Sequence, residues 1–256
     1  MRATFASTLL VASAALLLAS PVLGDEPRAP QAGERPPGSE TREPTTEQKI
    51  EEGEAATDVA AAPPIYQPPR RGRPRGRVGG GVRGTATAWP SVYTLVPMHT
   101  GLTVSAQPSL FWFVDGAVPQ GALLYFTLFD DSTIEPLAEA QLEHPEHPGI
   151  QAVDLAALGV GLEPGREYEW TIALVVDPAS RSSDIVAAGW IDRIEAPAGL
   201  VGGDPRAYAQ HSLWYDALGV LSAALSADPG NQALRASRDA LLRQAGLGMA
   251  VSSPDG

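Results

Sequence analysis

From Trp89 onward the hydrophobic positions fall in short runs separated by turn residues. Val92–Val96 ends at Pro97, and Leu102–Ser105 leads to Pro108. Leu110–Val114 closes in Asp115-Gly116, Leu123–Phe129 stops at Asp130-Asp131-Ser132, and Leu137–Leu142 is placed to pair back onto it. Ile150–Leu155, Glu167–Val176 and Val186–Ile194, the last carrying Trp190, complete a set of seven or eight strands. With no long helix between them, these strands predict an antiparallel sheet structure over 87–198 rather than a parallel sheet.

One local pattern is more specific. Leu162-Glu163-Pro164-Gly165 forms a turn directly before a strand that begins with Tyr168. In immunoglobulin and fibronectin-like sandwiches a tyrosine at that place bonds its hydroxyl back to the upstream turn. Tyr168, Trp170, Ile172 and Leu174 then share one face of the strand, opposite Glu167, Glu169 and Thr171. The predicted fold is therefore mainly β, an immunoglobulin/fibronectin-like antiparallel β-sandwich. Pro164, Gly165, Tyr168 and Trp190 are read as structural.

The period changes after residue 203. Asp204-Pro205 places an N-cap before proline at the first helical position. Trp214, Leu218, Leu221 and Leu225 recur at helical spacing until Asp228-Pro229-Gly230. Asn231 caps a second helix whose apolar face is Leu234, Leu241, Leu242 and Ala245, ended by Gly246. The pair, 204–247, is predicted as a C-terminal α-helical hairpin of tetratricopeptide type, with Trp214 structural. One such repeat cannot bury its own face, so it packs on the sandwich or on a partner.

Ahead of the folded region the pattern is of another kind. Arg2, the apolar stretch from Leu9 to Ala19, and small residues before Asp25 have the layout of a signal peptide, 1–24, cleaved after Gly24. The apolar stretch is short for a membrane span of about 20 residues, so the chain is expected to be periplasmic or secreted, and an integral membrane protein only if the signal stays uncleaved. Residues 25–69 are rich in Pro, Ala, Thr and Glu, with ten acids from Asp25 to Asp58 against four bases. Such a tail buries too little apolar surface to offset the entropy of ordering it and is predicted to be disordered. Residues 70–86 reverse the sign in an Arg/Gly-rich linker, RRGRPRGRVGGGVRG, that includes Arg71, Arg73 and Arg75. It either meets an anionic surface (envelope polymer, lipid or the chain's own acids) or is a solvated joint. Gly79, Gly81 and Gly84 match GxGxxG only formally, since no strand precedes them and no helix follows.

Composition excludes more than it identifies. The 256 residues carry 18 basic and 30 acidic side chains, a formal charge of −12, and no Cys. An acidic chain argues against nucleic acid as a partner, and the missing thiols exclude disulfides and thiolate chemistry. There is no GxSxG elbow, HExxH, P-loop or EF-hand. His144 and His147 could hold a metal only outside helical geometry, because Pro145 and Pro148 interrupt them; no metal and no cofactor is expected. Asp130, Asp131 and Glu135 read as solvated turn acids rather than a carboxyl pair held across a cleft. The polar loop Arg181, Ser182, Ser183 and Asp184 is a possible recognition loop. Trp89 or Trp112, if exposed, would offer a flat face to a sugar ring.

Five stretches in order, RGRVGGGVRG, LVPMHTGLTVSAQPSLFWFV, LEPGREYEWTIALVVDP, SSDIVAAGWIDRIE and HSLWYDALGVL with ADPGNQALRASRDALLRQAGL, resemble the DUF928 family of bacterial exported proteins, common in cyanobacteria. The resemblance spans roughly 72–247 and carries no catalytic signature. It implies an exported protein and weakly favours an interaction role. The expected function is a non-enzymatic cell-envelope module binding another envelope protein. The alternatives are a glycan-binding module using exposed aromatics and a polysaccharide-acting enzyme.

Overall fold

The computed structural model of the chain describes residues 62–70, 89–130 and 132–251. It is mainly β, with two sheets and C-terminal helices. The strands are β1 (Val92–Thr94), β2 (Gly101–Thr103), β3 (Ser109–Val114), β4 (Leu123–Asp130), β5 (Pro136–Leu142), β6 (Gly149–Asp154), β7 (Arg166–Val175) and β8 (Ile185–Arg193). The observed strands lie within two residues of those expected from the hydrophobic runs. One sheet has the order β1-β3-β6 and the other β2-β8-β7-β4-β5. The first is antiparallel as expected; the second departs at one edge, where β2 pairs with β8 in parallel, Gly101 opposite Ile191, while its remaining pairings are antiparallel.

Side-chain alternation explains the core. Along β7, Tyr168, Trp170, Ile172 and Leu174 are buried and the intervening residues are partly exposed. β3 reads LFWFV without alternation because both of its faces are covered. Phe111 lies beneath the helices, while Leu110 and Trp112 are buried beside it. The Tyr168 hydroxyl accepts the Glu163 N–H at 2.9 Å, across the turn where Gly165 takes φ +76. Gly189 is close-packed: a Cβ there would lie 3.0 Å from Val96 and 3.2 Å from the Trp170 indole.

The helices are α1 (Pro205–Gln210), α2 (Trp214–Ala227), α3 (Gln232–Gln244) and α4 (Gly248–Val251). Asp204 caps α1 through the Arg206 N–H at 2.9 Å, and Asn231 caps α3 through the Leu234 N–H at 3.1 Å. The first helical run breaks where a continuous helix was expected. Leu213 N bonds to Tyr208 O at 2.9 Å and Ser212 N to Ala209 O at 3.2 Å, the two bonds of a Schellman stop. Ser212 occupies the left-handed position, φ +65, usually taken by glycine.

One hydrophobic cluster runs through both sheets and into the helices, including Leu95, Trp170, Trp214, Leu218 and Leu242. The helical apolar face is therefore buried within this chain. Trp214 Nε1 donates to Leu95 O at 2.8 Å, and Tyr215 Oη donates to Trp190 O at 3.0 Å.

A third correction concerns the tail. Residues 62–69, assigned by composition to disorder, are extended and seated on the helices, with Pro64 and Tyr66 buried. Net acidity described the stretch as a whole and hid its last residues, which carry no charge before Arg70. Tyr66 brings an aromatic ring to bury, and its flanking prolines leave less chain entropy to lose. The rest of that tail, the signal segment 1–24 and the linker residues 71–86 lie outside the described residues.

Candidate functional site

The groove that receives residues 62–70 is made by α1, α2, α3 and the loop after β1. Exposure alternates along the segment: Pro64 buried, Ile65 exposed, Tyr66 buried, Gln67 exposed. Proline has no N–H, so within Pro63–Pro69 only Ile65, Tyr66 and Gln67 can donate from the backbone. Two of those three donors are used by the groove. Tyr66 N donates to Gln244 Oε1 at 2.8 Å, and Gln67 N donates to Ala209 O at 3.1 Å. Two carbonyls are also taken: Gln244 Nε2 donates to Pro64 O at 2.9 Å, and Ser212 Oγ donates to Gln67 O at 2.6 Å.

The Tyr66 ring is the anchor. It meets Trp214 edge-on at 5.2 Å between centroids and lies nearly parallel to His99 at 5.9 Å. Its hydroxyl is 3.3 Å from His99 Nε2, while His99 Nδ1 is 2.9 Å from Thr100 O. A carbonyl can only accept, so a neutral His99 carries its proton on Nδ1 and Nε2 accepts from Tyr66. Burial pushes the Tyr66 phenol far above its usual value, so it remains a donor throughout the accessible pH range. Burying such a ring stabilises the docked form by roughly 1.5–3 kcal/mol.

A second concavity, about 320 Å³, lies between β3/β6 and α2/α3. Phe111 and Ala152 line one side, and Ser222, Leu225, Arg235 and Arg238 the other.

The residues singled out from the sequence are scattered. Arg181–Ser183 form one 3₁₀ turn, and Arg181 Nε bonds Asp184 Oδ2 at 2.6 Å, so the loop's charges are spent on each other. The Arg181 guanidinium also sits over the Tyr125 ring at 5.9 Å. Trp112 is 2% exposed and has no face to offer a sugar; Trp89 and Trp190 are half-buried. Arg71, Arg73, Arg75 and Asp131 lie outside the described residues. Asp130 is engaged by neighbouring groups. It accepts from Ser132 N and Oγ, both at 2.8 Å, and pairs with Arg166 at 2.6 Å, which hold its carboxyl below the usual range. His144 Nε2 lies 2.6 Å from Ala122 O, a bond within the fold. Among the described residues no three His, Asp or Glu side chains converge as a metal site, and no helix is long and apolar enough to cross a membrane.

Sequence reasoning missed Tyr66, His99, Ser212 and Gln244. A tyrosine framed by two proline pairs, PPIYQPP, was the available signal.

Fold and site thus define a mainly β protein with appended helices that hold a proline-rich segment. A family model described as Domain of Unknown Function (DUF928) matches residues 78–255, and the chain belongs to that family. No curated protein matches it. Among solved structures, the fibronectin type III domain of human collagen alpha-1(XX) chain is similar at 15% identity, over 48% of this chain and 96% of that one, with a TM-score of 0.25.

Proposed function

We propose that the protein is a non-enzymatic, exported cell-envelope module for protein–protein interaction. It is built as an immunoglobulin/fibronectin-like β-sandwich followed by an α-helical hairpin, and it is periplasmic or secreted once residues 1–24 are removed. The observation that carries this reading is the docked segment 62–70: the helices hold an extended peptide by backbone hydrogen bonds and one aromatic anchor, as recognition grooves for proline-rich peptides do. The Tyr168 bond across the Pro164-Gly165 turn supports the sandwich reading. The engagement of Asp130 by Ser132 and Arg166 supports a non-enzymatic role. The partner is another envelope protein; Arg71, Arg73 and Arg75 add a contact to anionic envelope polymer.

The test is capture from envelope extract on immobilised residues 25–256, native and heat-unfolded side by side. The reading expects a protein held at fixed stoichiometry by the native chain alone, with binding reproduced from purified components. Equal capture by both forms overturns it and directs the search to polysaccharides.

A further inference from the structure

We propose that the Tyr66 groove is a general binding site for extended peptides carrying a tyrosine between proline pairs, and that residues 62–70 are its resident, exchangeable occupant. The inference rests on the interaction-module reading and names the chemistry of the ligand.

Four observations carry it. The groove side chains that meet the segment through hydrogen bonds or ring contacts, His99, Ser212, Trp214 and Gln244, lie inside the family match of 78–255, while the segment itself lies ahead of it. The receptor thus lies within the family match and the occupant ahead of it. Next, the groove reads backbone rather than a private set of side chains. Gln244 accepts from one residue and donates to another, Ala209 O takes a third group and Ser212 Oγ a fourth. Any extended peptide with free N–H groups at the tyrosine and the residue after it satisfies the same set. Third, the buried side chains of the segment are Pro64 and Tyr66, the latter its one aromatic ring, while Ile65 is 67% exposed and Gln67 is exposed. The selectivity falls on the tyrosine and on the extended backbone that flanking prolines impose. Finally, Ser212 is the one non-glycine among the described residues with positive φ, and its hydroxyl is spent on the bound Gln67 carbonyl. A glycine would satisfy the turn alone; the serine adds the peptide contact.

An occupant on the same chain competes at an effective concentration on the order of millimolar, so a free peptide binds weakly until the resident segment is loosened. That defines the experiment. The probe is the fluorescein-labelled peptide AAPPIYQPPR, corresponding to residues 61–70, titrated by anisotropy against full-length chain. Tyr66→Ala is expected to bind the probe at least about tenfold more tightly than wild type, because the groove is vacated. A probe with alanine in place of the tyrosine should lose that gain, and Gln244→Ala added to Tyr66→Ala should weaken binding about tenfold by removing two hydrogen bonds. If Tyr66→Ala does not fold, Gln67→Pro serves instead. It deletes the N–H bonded to Ala209 O and leaves the core untouched, for an expected gain of about two- to tenfold over wild type. Equal binding to the wild-type and loosened chains, or none to either, overturns the proposal. A partner captured by the native chain with no effect of the groove variants would leave the module reading standing and remove this one.

Discussion

Trp170 and Tyr215 join the sheet to the helices through a single buried hydrogen bond: the indole Nε1 donates to the tyrosine oxygen at 2.9 Å. Tyr215 then donates to Trp190 O at 3.0 Å, so one hydroxyl satisfies a donor on β7 and an acceptor on β8. Burial holds the Tyr215 phenol far above its usual value, so it never ionises in place. Replacing Tyr215 with Phe leaves the buried Trp170 N–H without an acceptor and is expected to cost about 1–3 kcal/mol. Chemical denaturation of Tyr215→Phe beside the wild type measures it.

The same ring explains a small residue at the start of β2. A Cβ on Gly101 would stand 2.7 Å from Tyr215 Cε2, closer than atoms pack, and the ring is held at its far end by two hydrogen bonds. Gly101→Ala should therefore destabilise by about 1–3 kcal/mol through overpacking. The same substitution at Gly161, where a Cβ meets nothing within 4 Å, serves as the control. Thermal unfolding of the two variants checks the difference.

The helices share one core with the sheets, so a chain ending at Gly203 would expose the partners of Trp214, Leu218 and Leu221. Such a truncation is expected to lose cooperative unfolding altogether. Near-ultraviolet circular dichroism of 25–203 would show the loss of fixed aromatic packing.

Two carboxylates make opposite contributions to stability across pH. Asp192 stands opposite Glu167 in the β7–β8 register, and burial first, then the Glu167 charge, pushes its carboxyl above the usual range. The folded chain holds that proton more tightly than the unfolded one, so this stability is present at low pH and lost as pH rises through the folded value. Asp130 is the reverse. The Ser132 N–H first, then the Ser132 hydroxyl and Arg166, hold it low, so its contribution is present at neutral pH and lost as pH falls through the folded value. Asp192→Asn is expected to raise the melting temperature at neutral pH and leave it unchanged below about pH 4; Asp130→Asn should lower it at neutral pH and converge with wild type in acid. A pH series of melting curves for both variants reads the two signs.

Much of the scaffold was legible because local rules govern it. The β7 alternation, the Asp204-Pro205 and Asn231 caps, and the turn residues around each strand depend on neighbours in sequence. The features that were misread depend on tertiary partners. The parallel β2–β8 pairing is invisible in a three-residue strand, and the break at Ser212 is set by where Trp214 must sit against Leu95 and by the Gln67 carbonyl its hydroxyl meets. The groove was hidden for the same reason: His99, Ser212 and Gln244 are ordinary residues far apart in the chain, and they share a partner only in the docked segment, through Tyr66 and Gln67. Composition placed that tyrosine in an acidic tail because averaging over 25–69 weighs charge and not one ring.

The most direct measurement of the central claim is amide hydrogen exchange of Tyr66 and Gln67 in the full-length chain. The bonds to Gln244 Oε1 and Ala209 O predict that both amides are slowed at least about 100-fold relative to the unfolded chain. Exchange of both at the unfolded rate would mean that the segment does not occupy the groove, and would contradict the account.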